Sequence, residues 1–325
     1  EKLFSHVRQP SLPIITDDSI LNRFFPHNSV PHHVWIDKEG SVQYITDGYN
    51  AVADNISKFL EGRDLALHYK NESPDFHPDS SLLEETAGSL YKDMIGYSIA
   101  LHKIEEYGGN RIAFSTDSIQ HTTGFKLLNI PLLDAYKMAW AKSIYTEGGE
   151  FRKNNRVVLL TRDSNNFKYP ARVSQIPAWE SQNIISYESK WPLKSQCIAY
   201  LFLQKDLNEL FPYQAGVEER ETPYYALLRT KLVKRIKNTN PRFVYNDTLY
   251  DLQNMPLSNL VQSLNDLECF EKRPVISPYP SDLKISLTLH GSLSDFKTLQ
   301  AELKKNGFQL RKKRGKLKML VVRDK

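Results

Sequence analysis

Residues 26–46, PHNSVPHHVWIDKEGSVQYIT, constrain the fold of this chain more tightly than any other stretch. The order is loop, proline turn, strand, tight turn, strand. Val34–Ile36 is a β-branched and aromatic run, and Val42 and Tyr44 begin a second alternating one. Between them, Asp37-Lys38-Glu39-Gly40 places glycine where a hairpin turn asks for positive φ. Upstream, SILNRFF predicts a short helix capped by Asp18 or Ser19 and stopped by Pro26. Downstream, Asn50 opens a helix with Val52, Ile56, Phe59 and Leu60 on one face, and Gly62 ends it.

The chain has 325 residues, a quarter of them charged, and a formal net charge of +5. That length supports two or three domains with real cores. The mild basic balance comes without an RRM, KH, zinc-finger or P-loop signature, so no nucleic-acid partner is expected. No apolar run reaches the length of a membrane span; CIAYLFL (197–203) is about the longest. Residue 1 is Glu, so the lack of a visible signal peptide decides nothing about targeting. Cys197 and Cys269 form no motif and read equally as two buried thiols or one disulfide.

Residues 70–80, KNESPDFHPDS, read as a polar linker. A helix is expected over about 81–107, closed by Gly108-Gly109. Farther on, FKLLNIPLLDAYKMAWA (125–141) and YDLQNMPLSNLVQSLND (250–266) share a strand-like lead-in, then Asn-apolar-Pro-Leu, then a helix. Proline suits a helix entrance because its missing N–H is not needed there. The echo suggests two related α+β modules. The last module reads β-α-β-α-β-β. It includes the strand Leu283–Leu289, a helix capped by Ser292 or Ser294, Gly307, and a terminal hairpin turning near Arg314-Gly315. The expected domains are 1–69, a linker at 70–80, a middle α+β domain at 81–246 and a terminal module at 247–325.

The 12–67 segment, with FPH, VPHHVWID and the Gly-terminated turn, resembles the C-terminal half of a TlpA-like thiol-disulfide oxidoreductase domain of thioredoxin fold. More narrowly, it resembles envelope redoxin-family proteins of Bacteroidetes, which carry FPH followed shortly by PH-x-VWID. Residues 247–325 are similar to the short N-terminal domains of secretins and TonB-dependent receptors. The resemblance implies a mixed α+β or α/β chain located in the bacterial envelope, periplasmic or outer-membrane associated. It implies that Pro31, preceded by Val30, is a cis-proline whose loop, with His27 and His32, faces a substrate or partner. It further implies a redox helix carrying Cys-x-x-Cys ahead of these elements, upstream of Glu1, where a lipid anchor could also lie. Half a thioredoxin sheet leaves Val34–Ile36 with an open edge, so further polypeptide is expected to complete it.

Each candidate has a plainer reading. His27, His32 and His33 read first as packing and loop hydrogen bonding, with a pH-sensitive or substrate-facing role as the alternative; their spacing sets up no metal site. Trp35 reads as a core residue. Asp37–Gly40 is a turn without the ligand series of a calcium loop. Glu84-Glu85 and Glu105-Glu106 read as solvated helix faces. Arg311, Lys312, Lys313 and Arg314, with Lys316 and Lys318, form a basic patch for an acidic partner or lipid headgroups, or else an edge hairpin protected by charge. No catalytic residue, metal or cofactor is expected within this chain. Two functions result: an envelope accessory protein that binds a partner such as an outer-membrane transporter or other envelope complex, or an oxidoreductase with its thiols upstream.

Overall fold

The computed structural model describes residues 15, 20–72, 76–82, 95–117, 121–141, 151–192, 196–230, 240–246, 248–270, 272–291 and 293–325. The protein is mixed α+β. It divides into two compact units, one comprising 11–135 and 163–203, the other 1–10, 136–162 and 204–325. Residues of the expected middle domain therefore fall in both units.

The first unit opens with α1 (Ile20–Phe24), the antiparallel hairpin β1 (His33–Ile36) and β2 (Val42–Thr46), and α2 (Ala53–Leu60). Gly40 (φ +82°) completes the turn, where Asp37 accepts from the backbone N–H groups of Glu39 and Ser41. Gly62 (φ +73°) ends α2. Trp35 is buried, edge-on to Tyr44 and Phe59, and its indole N–H donates to Thr46 Oγ1 at 2.9 Å. Little else in this region is covered. No residue of α2 is buried, and Val52, Ile56 and Leu60, four residues apart along its stripe, are all exposed, as are Ile36 and Val42 of the hairpin.

The rest of this unit is the sheet β3-β7-β5-β4, made of β3 (Tyr97–His102), β4 (Arg111–Asp117), β5 (Thr122–Pro131) and β7 (Ile184–Pro192). Residues 97–102 thus form a strand where a helix over 81–107 was expected; 83–94 lie outside the described residues. The alternation of Tyr97, Ile99 and Leu101 has a period of two, which favours the strand. Glu105-Glu106 consequently sit in the turn after β3 and not on a helix face. The polar 70–80 stretch is tethered rather than free: Asp79 pairs with Arg111, and the Ser80 carbonyl accepts from Lys126. Just beyond it, the buried Glu188 takes the Ser81 hydroxyl, the Leu82 N–H and the Tyr97 hydroxyl, with Lys126 at 3.1 Å.

In the second unit, β9 (Arg242–Asn246), β10 (Leu249–Pro256) and β12 (Lys284–His290) form the sheet β12-β10-β9. A second sheet, β11-β8-β13-β6, contains β6 (Val157–Leu160), β8 (Tyr213–Arg229), β11 (Val275–Ile276) and β13 (Phe308–Asp324). The remaining helices are α3 (Leu132–Trp140) and α5 (Gln196–Leu210), whose residues are divided between the units, α4 (Ile176–Asn183) of the first unit, and α6 (Leu257–Asp266) and α7 (Phe296–Lys305) of the second. Asp295, one residue past the expected Ser294, caps α7 by accepting from the Thr298 N–H at 2.8 Å; Ser292 lies outside the described residues.

The expected terminal hairpin is absent. β13 is one strand of 17 residues, paired in register with all of β8, so Arg314 and Gly315 lie mid-strand opposite Pro223 and Thr222. The alternating charges belong to a paired ladder: Lys316 lies opposite Glu221 and Lys318 opposite Glu219. Such cross-strand pairs contribute about 0.2–1 kcal/mol each. The terminal module is therefore β9-β10-α6-β11-β12-α7-β13.

That order repeats one already present, β4-β5-α3-β6-β7-α5-β8, with α4 inserted before β7. The agreement reaches single residues. Asn129 and Asn254 both have φ +51° and sit in a register shift, Leu127/Ile130 against β7 and Leu252/Met255 against β12. Asn and Gly tolerate this left-handed conformation where β-branched residues do not. The Asn129 N–H donates to Ser186 Oγ at 3.0 Å, and the Asn254 N–H to Ser286 Oγ at 2.9 Å. β6 runs parallel to β13 with Val157 opposite Leu320, while β11 runs parallel to β8 with Val275 opposite Tyr225. Tyr225 and Leu320 hold equivalent positions in their strands, and at the centre the equivalent Glu221 and Lys316 face each other. Within this sheet each short parallel strand thus pairs with the long strand of the other module, and the β8–β13 ladder is symmetric about the Glu221/Lys316 pair.

If the repeat is physical, Ser186→Ala and Ser286→Ala each lose about 1 kcal/mol in chemical denaturation. Asn129→Val and Asn254→Val each lose about 1–3 kcal/mol; glycine restores the left-handed backbone, but at 129 it still forfeits the bonds that the Asn129 side-chain amide makes with the Ile104 and Tyr107 backbone. A cost confined to one module contradicts the repeat.

Candidate functional site: the cleft beside the Val30–Pro31 loop

The loop between α1 and β1 contains a cis Val30–Pro31 peptide, and the Val30 side chain stands 80% exposed. Two residues of the expected linker hold it. Lys70 Nζ donates to the carbonyls of Ser29 (2.7 Å) and Pro31 (3.1 Å). Glu72 accepts from the Asn28 N–H (3.1 Å) and the Ser29 hydroxyl (2.6 Å). The two side chains are 3.4 Å apart and only 6% and 3% exposed. Two glycines permit this closeness: a Cβ on Gly48 would lie 2.7 Å from Pro31 Cγ, and one on Gly108 would lie 2.0 Å from Glu72 Oε1. Gly108 therefore makes room for the clamp rather than ending a helix.

Beside the loop is a cleft of about 370 Å³, with Val30 and Pro31 on one side and Tyr49, Lys103, Tyr169 and Glu180 on the other. Lys103 Nζ reaches Glu180 at 2.9 Å and Glu105 at 3.3 Å. Burial pulls the Lys103 ammonium down, but the two carboxylates outweigh it and hold its pKa above the ordinary lysine value. Burial and the nearby Glu180 raise the Tyr49 phenol. Burial, Glu180 and the hydrogen bond that Tyr169 donates to Tyr49 raise Tyr169 further. Both phenols stay protonated near neutrality. The cleft offers neutral hydroxyls, a fixed ion pair and backbone edges; no cysteine lines it, and its one serine hydroxyl, Ser29, is committed to Glu72. That chemistry suits binding of a polar, extended chain.

Of the histidines, His27 and His32 stack at 4.4 Å, His27 Nδ1 lies 3.0 Å from the Phe25 carbonyl, and His33 Nδ1 lies 3.1 Å from the Asp47 carbonyl. Both His32 ring nitrogens are buried without a hydrogen-bond partner among the described residues. Burial, then Lys70 and His27, lower the His32 pKa. Among the described residues, no group of three His, Cys, Asp or Glu could hold a metal ion, and no helix is long and apolar enough to cross a membrane. Cys269 is a free, exposed thiol. Arg311, Lys312, Lys313 and Arg314 lie on β13 in the other unit, all exposed.

The structure thus gathers Val30, Pro31, His27 and His32 around one loop. Sequence reading missed Lys70, Glu72, Lys103, Glu180, Tyr49 and Tyr169, which come from separate elements with no common spacing. The Gly108-Gly109 pair was the one local sign that backbone approached something closely there.

Lys70→Met leaves the Glu72 carboxylate buried without its cation and lowers stability by about 3 kcal/mol. Burial alone would raise the Glu72 pKa, but the Ser29, Asn28 and Lys70 contacts bring it below the ordinary 4.5. Its contribution is therefore full above that value and is lost as pH falls through the folded pKa. His32, lowered from 6.5, acts in the same direction at an earlier stage. The protection factor of the Asn28 amide, taken against its intrinsic exchange rate at each pH, should fall in two steps on acidification, His32→Asn abolishing the first and Glu72→Gln the second. A flat pH profile refutes the clamp.

No protein-family model, curated protein or solved structure matches this chain.

Proposed function

We propose that this chain belongs to an accessory protein of the bacterial envelope that binds a protein partner, an outer-membrane transporter or other envelope complex. In this reading, residues 1–69 are the C-terminal half of a thioredoxin-like domain. The repeated modules, the second of which is similar to the short N-terminal domains of secretins and TonB-dependent receptors, supply further interaction surface. The observation that carries the reading is the bare apolar surface of the hairpin and α2, with Val52, Ile56 and Leu60 exposed and no α2 residue buried. An amphipathic helix gains most of its stability by burying such a stripe, so additional polypeptide is expected to cover it.

A second reading, thiol-disulfide oxidoreductase, draws on the exposed Val30 beside the cleft, where a substrate strand would pair. It requires Cys-x-x-Cys at a helix start upstream of Glu1.

The full-length protein separates these readings. Reduction of insulin that is lost on replacing an upstream cysteine pair favours the enzyme, and inactivity favours the accessory role. In either case, amide exchange over Ala53–Leu60 should slow at least about ten-fold in the full-length protein relative to residues 1–325, since covered helices open only by larger excursions. Equal exchange in both would sink the half-domain reading.

A further inference from the structure

The two modules also differ along the outer edge of one pair of corresponding strands. In the first, the outer edge of β7 carries β3, paired antiparallel with Tyr97 opposite Lys190 and Ile99 opposite Glu188. In the second, β12 is the equivalent of β7, because Ile285 and Leu287 flank the same register shift as Ile185 and Tyr187. Yet β12 ends its sheet, with no strand in the β3 position among the described residues.

Side chains from the end of α7 occupy that edge instead. Asn306 receives the Thr288 N–H at 3.3 Å and donates to the Thr288 carbonyl at 2.8 Å, as the peptide group of a neighbouring strand would do. Glu302 accepts from the His290 N–H at 3.0 Å. Thr288 and His290 stand where Glu188 and Lys190 stand, the residues opposite Ile99 and Tyr97. Matched by their buried faces, Tyr200, Leu203 and Leu207 with Phe296, Leu299 and Leu303, the first module has Asp206 in place of Glu302 and Leu210 in place of Asn306. The asparagine that mimics a strand at β12 thus has an apolar counterpart where β3 is seated. Asparagine clasps of the same form close β8 at Ala215 and β11 at Val275. Among the described residues, only at β12 does the other module show a strand seated in the same register.

We propose that the outer edge of β12 is a strand-acceptor site for an extended segment of a partner protein, shut by Asn306 and Glu302 until that segment displaces them. β3 describes the occupant: antiparallel, with small residues such as Ser98 and Ala100 alternating with larger ones such as Tyr97, Ile99 and Leu101. Backbone pairing supplies the affinity and the alternation supplies the choice. This site lies outside the hairpin–helix region and does not depend on the thioredoxin-like reading.

The test is a fluorescent peptide of sequence Ile95–Ile104 titrated against residues 1–325 and the Asn306→Ala/Glu302→Ala variant, with a scrambled peptide as control. Removing the plug raises the competent fraction, so the variant should bind at least about ten-fold tighter, with slowed exchange at Thr288 and His290 and a monomer throughout. Equal binding by both proteins, or protection elsewhere, overturns the proposal. Self-association of the variant through this edge also overturns it, since the occupant is then a second copy. Asn306→Asp, which keeps shape but removes the donors, is read alongside by circular dichroism and titration; if the double variant does not fold, tighter binding by Asn306→Asp supports the proposal and unchanged binding defeats it.

Discussion

The 17-residue pairing of β8 with β13 is the interaction on which the C-terminal architecture depends. It is the last strand of each module, and it serves both. Its Tyr225, Leu227, Phe308 and Leu310 enter the core around Leu252, Leu260, Leu287 and Leu303. Because Val157 meets Leu320 as Val275 meets Tyr225, each short parallel strand leans on the long strand of the other module. A module so built cannot be cut at β8 without opening the sheet of its neighbour, which explains why the compact units interleave along the chain. The exposed middle of the ladder pairs lysines with glutamates, while Met319 to Val322 are buried.

The hairpin–helix region obeys a different balance. Its apolar stripe is bare, yet its loop is held with economy by one ammonium and one carboxylate, nearly fully buried. Such a pair contributes little net stability against a hydrophobic alternative, but losing either member is costly. Its evident effect is to fix the Ser29–Pro31 backbone at the rim of the cleft. The carbonyls of that rim already accept from Lys70, so a bound chain would meet an organised edge rather than a mobile loop.

Much of the local structure was legible in the sequence. The alternation in VWID and SVQYIT, the glycines at 40 and 62 and the buried Trp35 all stand in the structure as read. The Asn-x-Pro-Leu echo proved the most informative signal, because a left-handed asparagine and a helix-opening proline are backbone requirements rather than matters of taste in side chains. Two readings failed for identifiable reasons. Arg314-Gly315 has turn-like composition, but the strand that pairs across it lies some ninety residues away in sequence, so no local pattern could reveal the ladder. Tyr97–His102 was absorbed into a helix because the preceding apolar residues blurred its period. The cleft was illegible because its walls come from seven separated segments, and the Lys70–Glu72 clamp sat in a stretch whose polarity suggested a tether.

The claim that organises this account is that two copies of one module are joined along β8 and β13. Opposed residues in an antiparallel pair lie close enough in Cα separation for a disulfide. With Cys197 and Cys269 replaced by serine, a Glu221→Cys/Lys316→Cys variant should therefore close an intrachain disulfide on mild oxidation while remaining folded, as read by mass spectrometry of a non-reduced digest. Failure of 221 and 316 to bridge in the folded protein, with a Lys313→Cys/Lys316→Cys pair bridging instead, would show a terminal hairpin and contradict the exchanged-strand repeat.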